Sequence, residues 1–240
     1  WAQLGARDSL WPGSWFWGKI SPSGARVIYN RLPPGYNYTP APDEFYLRPY
    51  EAWTARSDGS DAVKLRDDCF YVGQAIWFDQ ERKVIFDCGY EGPSDINMAS
   101  VDGSSFVYLT GRFGGLCVGF SPMALSPDET KLAFTDSIFT LRVAALDGSE
   151  IRSVAEWSYA PNWSPDGRRL YYQQGQELSD DVDIYVYDLD TGVSTKLISS
   201  PLYTSDGATV DIPAGGFVVS PLENAAVFQF QGLWLVTWST

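Results

Sequence analysis

Apolar and polar positions along this chain alternate in short bursts, and no stretch sustains the 3.6-residue period of a helix. One burst recurs five times: an apolar residue, a Ser-Pro or acidic turn, then three consecutive apolar or aromatic residues. It reads ISPSGARVIY at 20–29, WFDQERKVIF at 77–86, LSPDETKLAF at 125–134, WSPDGRRLYY at 163–172 and VSPLENAAVF at 219–228. Proline fixes φ at the first turn position and Gly accepts positive φ, so Pro165-Asp166-Gly167 is a turn joining two strands. Each burst is therefore the first and second strand of a repeated unit.

Further along each unit lies a third strand ending in a second turn: Ser-Asp-Gly at 57–59, Val-Asp-Gly at 101–103, Leu-Asp-Gly at 146–148 and Asp-Thr-Gly at 190–192. A short fourth strand follows at 62–65, 106–109, 151–154 and 194–197. Four short antiparallel strands per unit describe one blade of a β-propeller. The expected fold is all-β: a single five-bladed domain over residues 1–240, with blades starting near 15, 74, 120, 159 and 214. The fifth unit reaches its third strand at 233–238 and has no fourth. Residues 2–6 are expected to pair there, complete the last blade and remove the exposed edges.

The segments WSPDGRRLYY with DIYVYDLDTG, and LSPDETKLAF with LRVAALDGS, resemble the TolB-type propeller repeats. The resemblance spans about residues 15–240, is strongest in the third and fourth units, and weakens in the second, where Phe78-Asp79-Gln80-Glu81 replaces Ser-Pro-Asp-Gly. It implies fold and leaves function to the loops. The peptidases that carry such repeats have a separate hydrolase domain with a G-x-S-x-G elbow, a motif not found here. TolB itself has an additional amino-terminal domain with no counterpart in this sequence, so its role is not implied. In such rings the first strands line the axis, and ligands bind on the face where the loops between second and third strands lie.

Composition narrows the chemistry. The formal charge of −13 argues against nucleic acid or an anionic membrane surface as partner. No stretch approaches the roughly 18 to 20 apolar residues of a membrane span. Histidine is absent, which excludes Ser-His-Asp and Cys-His catalysis and His-based zinc sites. A five-bladed glycosidase needs two carboxylates about 5 to 9.5 Å apart, yet the expected axial positions, 18–20, 74–77, 122–125, 161–163 and 216–219, hold neither Asp nor Glu. A glycan-active enzyme using loop carboxylates stays as the alternative to a non-catalytic recognition or scaffold module.

The repeat acids Asp58, Asp102, Asp128, Asp147, Asp166 and Asp190 are expected to bond their own turns rather than hold calcium. Asp180, Asp181 and Asp183 come nearest to a calcium site, but a solvated acidic loop accounts for them, and no cofactor is expected. Aromatics make up 15 % of the chain, and they gather in the loops of one face. RLPPGYNYTPAPDEFYLRPY at 31–50 combines five prolines with four tyrosines, a stiff segment offering flat faces with polar tips. The expected binding residues are Trp11, Tyr36, Tyr38, Glu44, Tyr90, Phe113, Tyr159, Asp181 and Tyr203, with Trp15 and Trp17 assigned to packing. Glu44, Glu91, Asp180 and Asp181 make that face negative, which favours neutral or cationic ligands: a protein, peptide or glycan. Of three cysteines, Cys88 is expected to form a disulfide with Cys69 in preference to Cys117, which closes the longer loop. The chain reads as extracellular, periplasmic or cell-surface, either whole or as a domain of a larger surface protein.

Overall fold

A computed structural model of the chain describes residues 18–33, 50–89, 93–119, 122–175, 182–203, 209–212, 217–220, 222, 225–229 and 233–237. Among the described residues the protein is all-β apart from one helical turn, and its strands pair antiparallel. It divides into two compact units, 1–117 and 118–240. The expected closing strand at 2–6 lies outside the described residues.

Unit one holds two four-stranded sheets. Sheet one is β1 (Gly18–Ile20), β2 (Arg26–Arg31), β3 (Glu51–Arg56) and β4 (Val63–Arg66), in that spatial order. Sheet two is β5 (Ala75–Phe78), β6 (Lys83–Cys88), β7 (Asp95–Ser100) and β8 (Phe106–Tyr108). The sequence places residue 109 in that last strand. Instead β8 stops at Tyr108 and α1 (Leu109–Arg112) follows, with Leu109 and Thr110 buried. The Thr110 hydroxyl accepts the Ile96 N–H at 2.7 Å, so the helical turn seals the end of β7.

Unit two holds sheet three, β9 (Ala124–Leu125), β10 (Lys131–Thr135), β11 (Thr140–Ala145) and β12 (Ile151–Glu156). Sheet four follows with β13 (Ser158–Trp163), β14 (Arg169–Gln174), β15 (Asp183–Asp188) and β16 (Val193–Ile198). A hairpin of β17 (Leu202–Tyr203) and β18 (Thr209–Val210) then leads to a sheet of β19 (Phe217–Val219), β20 (Ala225–Gln229) and β21 (Leu233–Thr237).

The run of consecutive apolar residues in each second strand has a packing reason. A strand buried on one face alternates, whereas a strand covered on both faces does not. In β14, Leu170 and Tyr172 pack with Ala133, Leu141 and Val143 of sheet three. Tyr171, between them, points the other way and packs with Ile184, Phe217 and Ala226. In unit one, Ile28 and Ala52 of sheet one meet Val84, Phe86 and Ala99 of sheet two. The same core encloses the Cys69–Cys88 disulfide, whose Cα atoms lie 5.1 Å apart, and Cys117 is the free cysteine.

The first turns of sheets one, three and four close on a serine hydroxyl. The N–H groups of Arg26, Lys131 and Arg169 donate to Oγ of Ser21, Ser126 and Ser164 at 3.2, 2.9 and 2.9 Å. Ser126 and Ser164 in turn donate to Asp128 and Asp166, both at 2.6 Å. Those carboxylates accept the Thr130 and Arg168 N–H groups at 3.1 and 3.0 Å. In sheet one, Ser23 stands where Asp would be and takes its place: its Oγ accepts the Ala25 N–H at 3.1 Å, while Glu81 accepts the Ser23 N–H at 2.7 Å and its hydroxyl at 2.5 Å. The departure of the second repeat from Ser-Pro-Asp-Gly thus buttresses its neighbour's turn.

The second turns use the same device. Asp58, Asp102 and Asp147 accept the N–H of Ser60, Ser104 and Ser149, each at 2.9 Å. The sequence assigns this role in the fourth sheet to Asp190. It belongs to Asp188, which accepts the Thr191 N–H at 2.8 Å and the Thr191 hydroxyl at 2.9 Å. That turn closes one residue wider, with the Gly192 N–H bonded to the Asp188 carbonyl, so the anchoring acid sits earlier. Asp190 faces Arg168 at 3.9 Å instead. Serine hydroxyls hold the carboxyls of Asp58, Asp102, Asp128 and Asp166 below the usual aspartate range. These acids serve the fold.

Candidate functional site

Each sheet has two unlike ends. The turn end carries the tight connections just described, and the loop end carries the links between second and third strands and between sheets.

At the loop end of unit two, three aromatic rings gather. Phe139 and Trp157 stack with ring centroids 5.2 Å apart and planes 15° off parallel, and Tyr159 meets Phe139 edge-on at 6.0 Å. Phe139 lies in the loop between β10 and β11, and Trp157 is the single residue between β12 and β13. Both have left-handed backbones, with φ of 63° and 52°. For bulky side chains that conformation costs on the order of 1–3 kcal/mol and persists only where surroundings enforce it. The enforcement is visible: the Phe139 carbonyl accepts the Ser158 N–H at 3.2 Å and the Trp157 carbonyl accepts the Gly175 N–H at 3.0 Å. Beneath them, buried Asp136 accepts the N–H groups of Ile138 and Thr140 at 3.1 and 2.9 Å and pairs with Arg142 at 2.8 Å. Beside the rings Ile138 is 69 % exposed. The result is a fixed apolar shelf of Ile138, Phe139, Trp157 and Tyr159 on a polar footing. Burial raises the Tyr159 phenol pKa above its ordinary value, so that hydroxyl is a neutral donor and acceptor.

At the loop end of unit one, the proline- and tyrosine-rich segment leaves from Arg31 and returns to Glu51, which face each other in the β2–β3 register. The Arg31 guanidinium lies 3.6 Å over the Trp53 ring. Trp53 Nε1 donates to Glu51 at 2.8 Å, and Lys64 Nζ reaches the other Glu51 oxygen at 3.1 Å. A second polar cluster joins Arg66 to Asp95 at 2.7 Å and to Asn97 at 2.5 Å, with the Tyr108 hydroxyl donating to Asp95 at 2.9 Å. Cys117 Sγ lies 3.9 Å from the same carboxylate. Burial and that negative charge raise its pKa, so the free thiol is not an activated nucleophile.

Of the residues selected from sequence, Tyr159 belongs to the aromatic shelf. Phe113 does not serve as a loop-end contact. It follows α1 and is 1 % exposed, because the helical turn that replaces the end of β8 folds its ring inward. Tyr203 ends β17, and its side chain is outside the described set. Trp11, Tyr36, Tyr38, Glu44, Tyr90 and Asp181 lie outside the described residues, as do Trp15, Trp17, Glu91 and Asp180. Asp183, from the acidic cluster, pairs with Lys196 at 2.5 Å and accepts the Ser200 N–H at 2.9 Å.

Sequence reasoning passed over Phe139 and Trp157, which sit in unremarkable loops, and over a buried polar position in the second strands of the four-stranded sheets. Asn30, Asp87, Thr135 and Gln173 occupy the fifth place of β2, β6, β10 and β14, and all four are buried. Asn30 donates to the Phe70 carbonyl at 2.8 Å, and Thr135 to the Ser158 carbonyl at 2.8 Å. Asp87 accepts the Gln74 N–H. This position ties second strands to the segments that enter the following or the same sheet. Reading the five blocks one residue past their apolar run would have exposed it.

No protein-family model and no curated protein sequence matches the chain. Solved structures do. TolB from Acinetobacter baumannii superposes with a TM-score of 0.56 at 11 % identity, over 92 % of this chain and 51 % of that one. Oligogalacturonate lyase from Vibrio parahaemolyticus gives 0.59 at 12 % identity, over 92 % and 65 %. A chain of the nidogen/laminin complex gives 0.51 at 15 % identity, over 79 % and 70 %. The chain therefore spans about half of the TolB structure, and the likeness is one of fold: propeller-type antiparallel sheets. One of these proteins is an enzyme by its name and another was solved in a complex, so shared fold does not select a function.

Burial pushes the Asp87 carboxyl up to about 6, against the opposing N–H bonds of Gln74 and Gly73. An acid whose folded pKa exceeds its unfolded value favours the folded state when protonated. Its contribution is complete below about pH 4 and is lost as pH rises through about 6, a change of roughly 3 kcal/mol. In urea unfolding, Asp87→Asn should remove that fall, so the wild-type-minus-variant stability difference drops between pH 4 and 7. A difference that stays constant or rises over that window would contradict the assignment.

Proposed function

We propose that the protein is a non-catalytic recognition module that holds a protein or peptide segment at its loop end by aromatic stacking. One observation carries the reading: Phe139 and Trp157 are stacked in left-handed backbones beside exposed Ile138. Backbone strain held at half-buried rings, with Tyr159 anchored on the core, is of the kind found at ligand-contacting positions. The sequence of the 31–50 segment in unit one carries tyrosines of its own, Tyr36 and Tyr38 among them, and the net charge of −13 favours a neutral or cationic partner. The Cys69–Cys88 disulfide supports residence outside the reducing cytoplasm, in the periplasm or beyond the cell.

The enzyme alternative draws on the likeness to oligogalacturonate lyase. Against it, Asp136 is committed to Arg142 and two N–H groups, and Asp95 to Arg66 and Tyr108. Carboxylates so engaged are poorly placed for general acid or base work.

Peptide and glycan arrays followed by titration test the reading. Trp157→Ala, and separately Tyr36→Ala with Tyr38→Ala, should weaken the ligand found by about 1 to 3 kcal/mol while the fold persists. A glycan ligand with the same sensitivity would keep the site and change the partner. Hydrolysis or elimination of a glycan substrate, abolished by one loop Asp or Glu substitution, would overturn the non-catalytic reading.

The architecture we propose is a five-bladed ring. The β19–β21 sheet has three strands where four sheets have four, and residues 2–6 would supply the missing one. Deleting residues 1–8 should then lower the melting temperature markedly or cause aggregation. An unchanged melting temperature would show that the strand is not used.

A further inference from the structure

The turn end of unit two holds a cavity of about 250 Å³ between sheets three and four. It lies at the opposite end of these sheets from the aromatic shelf, and it owes nothing to the reading above. Its charged lining is divided between strands and tight turns: Lys131 opens β10 and Arg152 lies in β12, while Glu150, Arg168 and Asp190 stand on the adjoining turns. Groups fixed by sheets hold their geometry better than groups on long loops.

Three cations face two anions there, in a chain whose net charge is −13. Arg152 is occupied: it pairs with Glu150 and donates to the Leu189 carbonyl at 2.9 Å. Arg168 and Asp190 approach only to 3.9 Å and are both largely exposed, so that pair is easily exchanged. Lys131 makes no side-chain hydrogen bond or close ion pair among the described residues, and its charge is met only at longer range by the Asp128 carboxylate of the same turn. The floor is apolar, made by Val143, Ala145 and Leu189. The volume falls below the roughly 300–1,000 Å³ of sites that enclose a drug-sized ligand. It suits one residue of a larger partner.

We infer that this pocket anchors a single carboxylate-bearing residue of a peptide, with the carboxylate between Lys131 and Arg168 and the aliphatic stem on Val143 and Leu189. A carboxylate can come from an Asp or Glu side chain or from a chain terminus, and the chemistry of recognition is the same. The negative charge of the whole protein repels extended acidic partners, which restricts the site to short segments carrying one or two carboxylates.

The test is titration of ¹⁵N-labelled protein with four blocked dipeptides, following the backbone amides of Lys131, Ala145 and Arg168. Acetyl-Ala-Glu-amide carries a side-chain carboxylate, acetyl-Ala-Ala a terminal one, and acetyl-Ala-Gln-amide and acetyl-Ala-Ala-amide none. One or both acids should shift these signals saturably, at least tenfold more tightly than the matched neutral peptide. Which acid binds identifies the source. Lys131→Gln should weaken that binding at least fivefold with an unchanged melting temperature, whereas Trp157→Ala should leave it unaltered. Equal affinity for acid and neutral peptides, no saturable shift with either acid, or unchanged affinity in Lys131→Gln would overturn the inference.

Discussion

The rest of this structure depends on a side-chain hydroxyl that closes a backbone turn. In three sheets a serine accepts an N–H five residues ahead, and in two of them it also donates to an aspartate that holds the turn's next N–H. A two-strand connection must satisfy the amides its sharp bend leaves unpaired, and here the sequence carries the partners within the turn itself. Because the clamp is local, each hairpin is specified by its own residues, and the intervening loops can vary in length without disturbing register. Sheet one keeps the clamp without an aspartate: Ser23 Oγ holds the Ala25 N–H, and Glu81, 58 positions away, buttresses Ser23.

With the turn ends fixed this way, the loop ends are free to differ. Their strands are tied instead by the buried polar residue at the fifth place of the second strand, which is Asn30, Asp87 or Thr135 in the first three sheets. A fixed position with a variable side chain keeps the connections anchored while letting each take its own course. In unit two that freedom is used to hold Phe139 and Trp157 in a backbone conformation that neither would adopt alone. Rings held in advance lose little entropy when a ligand stacks on them.

How much of this could be read from sequence follows from the range of the interaction. The antiparallel four-stranded sheets were legible because Pro165-Asp166-Gly167 and its counterparts declare a turn locally, and the flanking residues have strand periodicity. The role of Asp188 was misread as that of Asp190 because a turn one residue wider looks identical in pattern. Phe113 was misplaced because nothing local distinguishes a fourth β strand residue at 109 from the start of a helical turn. The aromatic shelf was half visible: Tyr159 was selected for its loop, while Phe139 and Trp157 carry no motif, and only tertiary bonds to Ser158 and Gly175 force their geometry. Asp87 passed as an ordinary polar residue beside an apolar run, since burial on both faces is a property of neighbouring sheets.

Native-state amide hydrogen exchange measures the central claim directly, that serine hydroxyls at the turns frame the molecule. The account predicts that the amides of Arg26, Lys131 and Arg169 are protected to the level of the strand amides beside them. It also predicts that Ser164→Ala speeds exchange at Arg169 and leaves Arg26 and Lys131 unchanged. Exchange of the three amides at the rate of an open loop in the unaltered protein would contradict it.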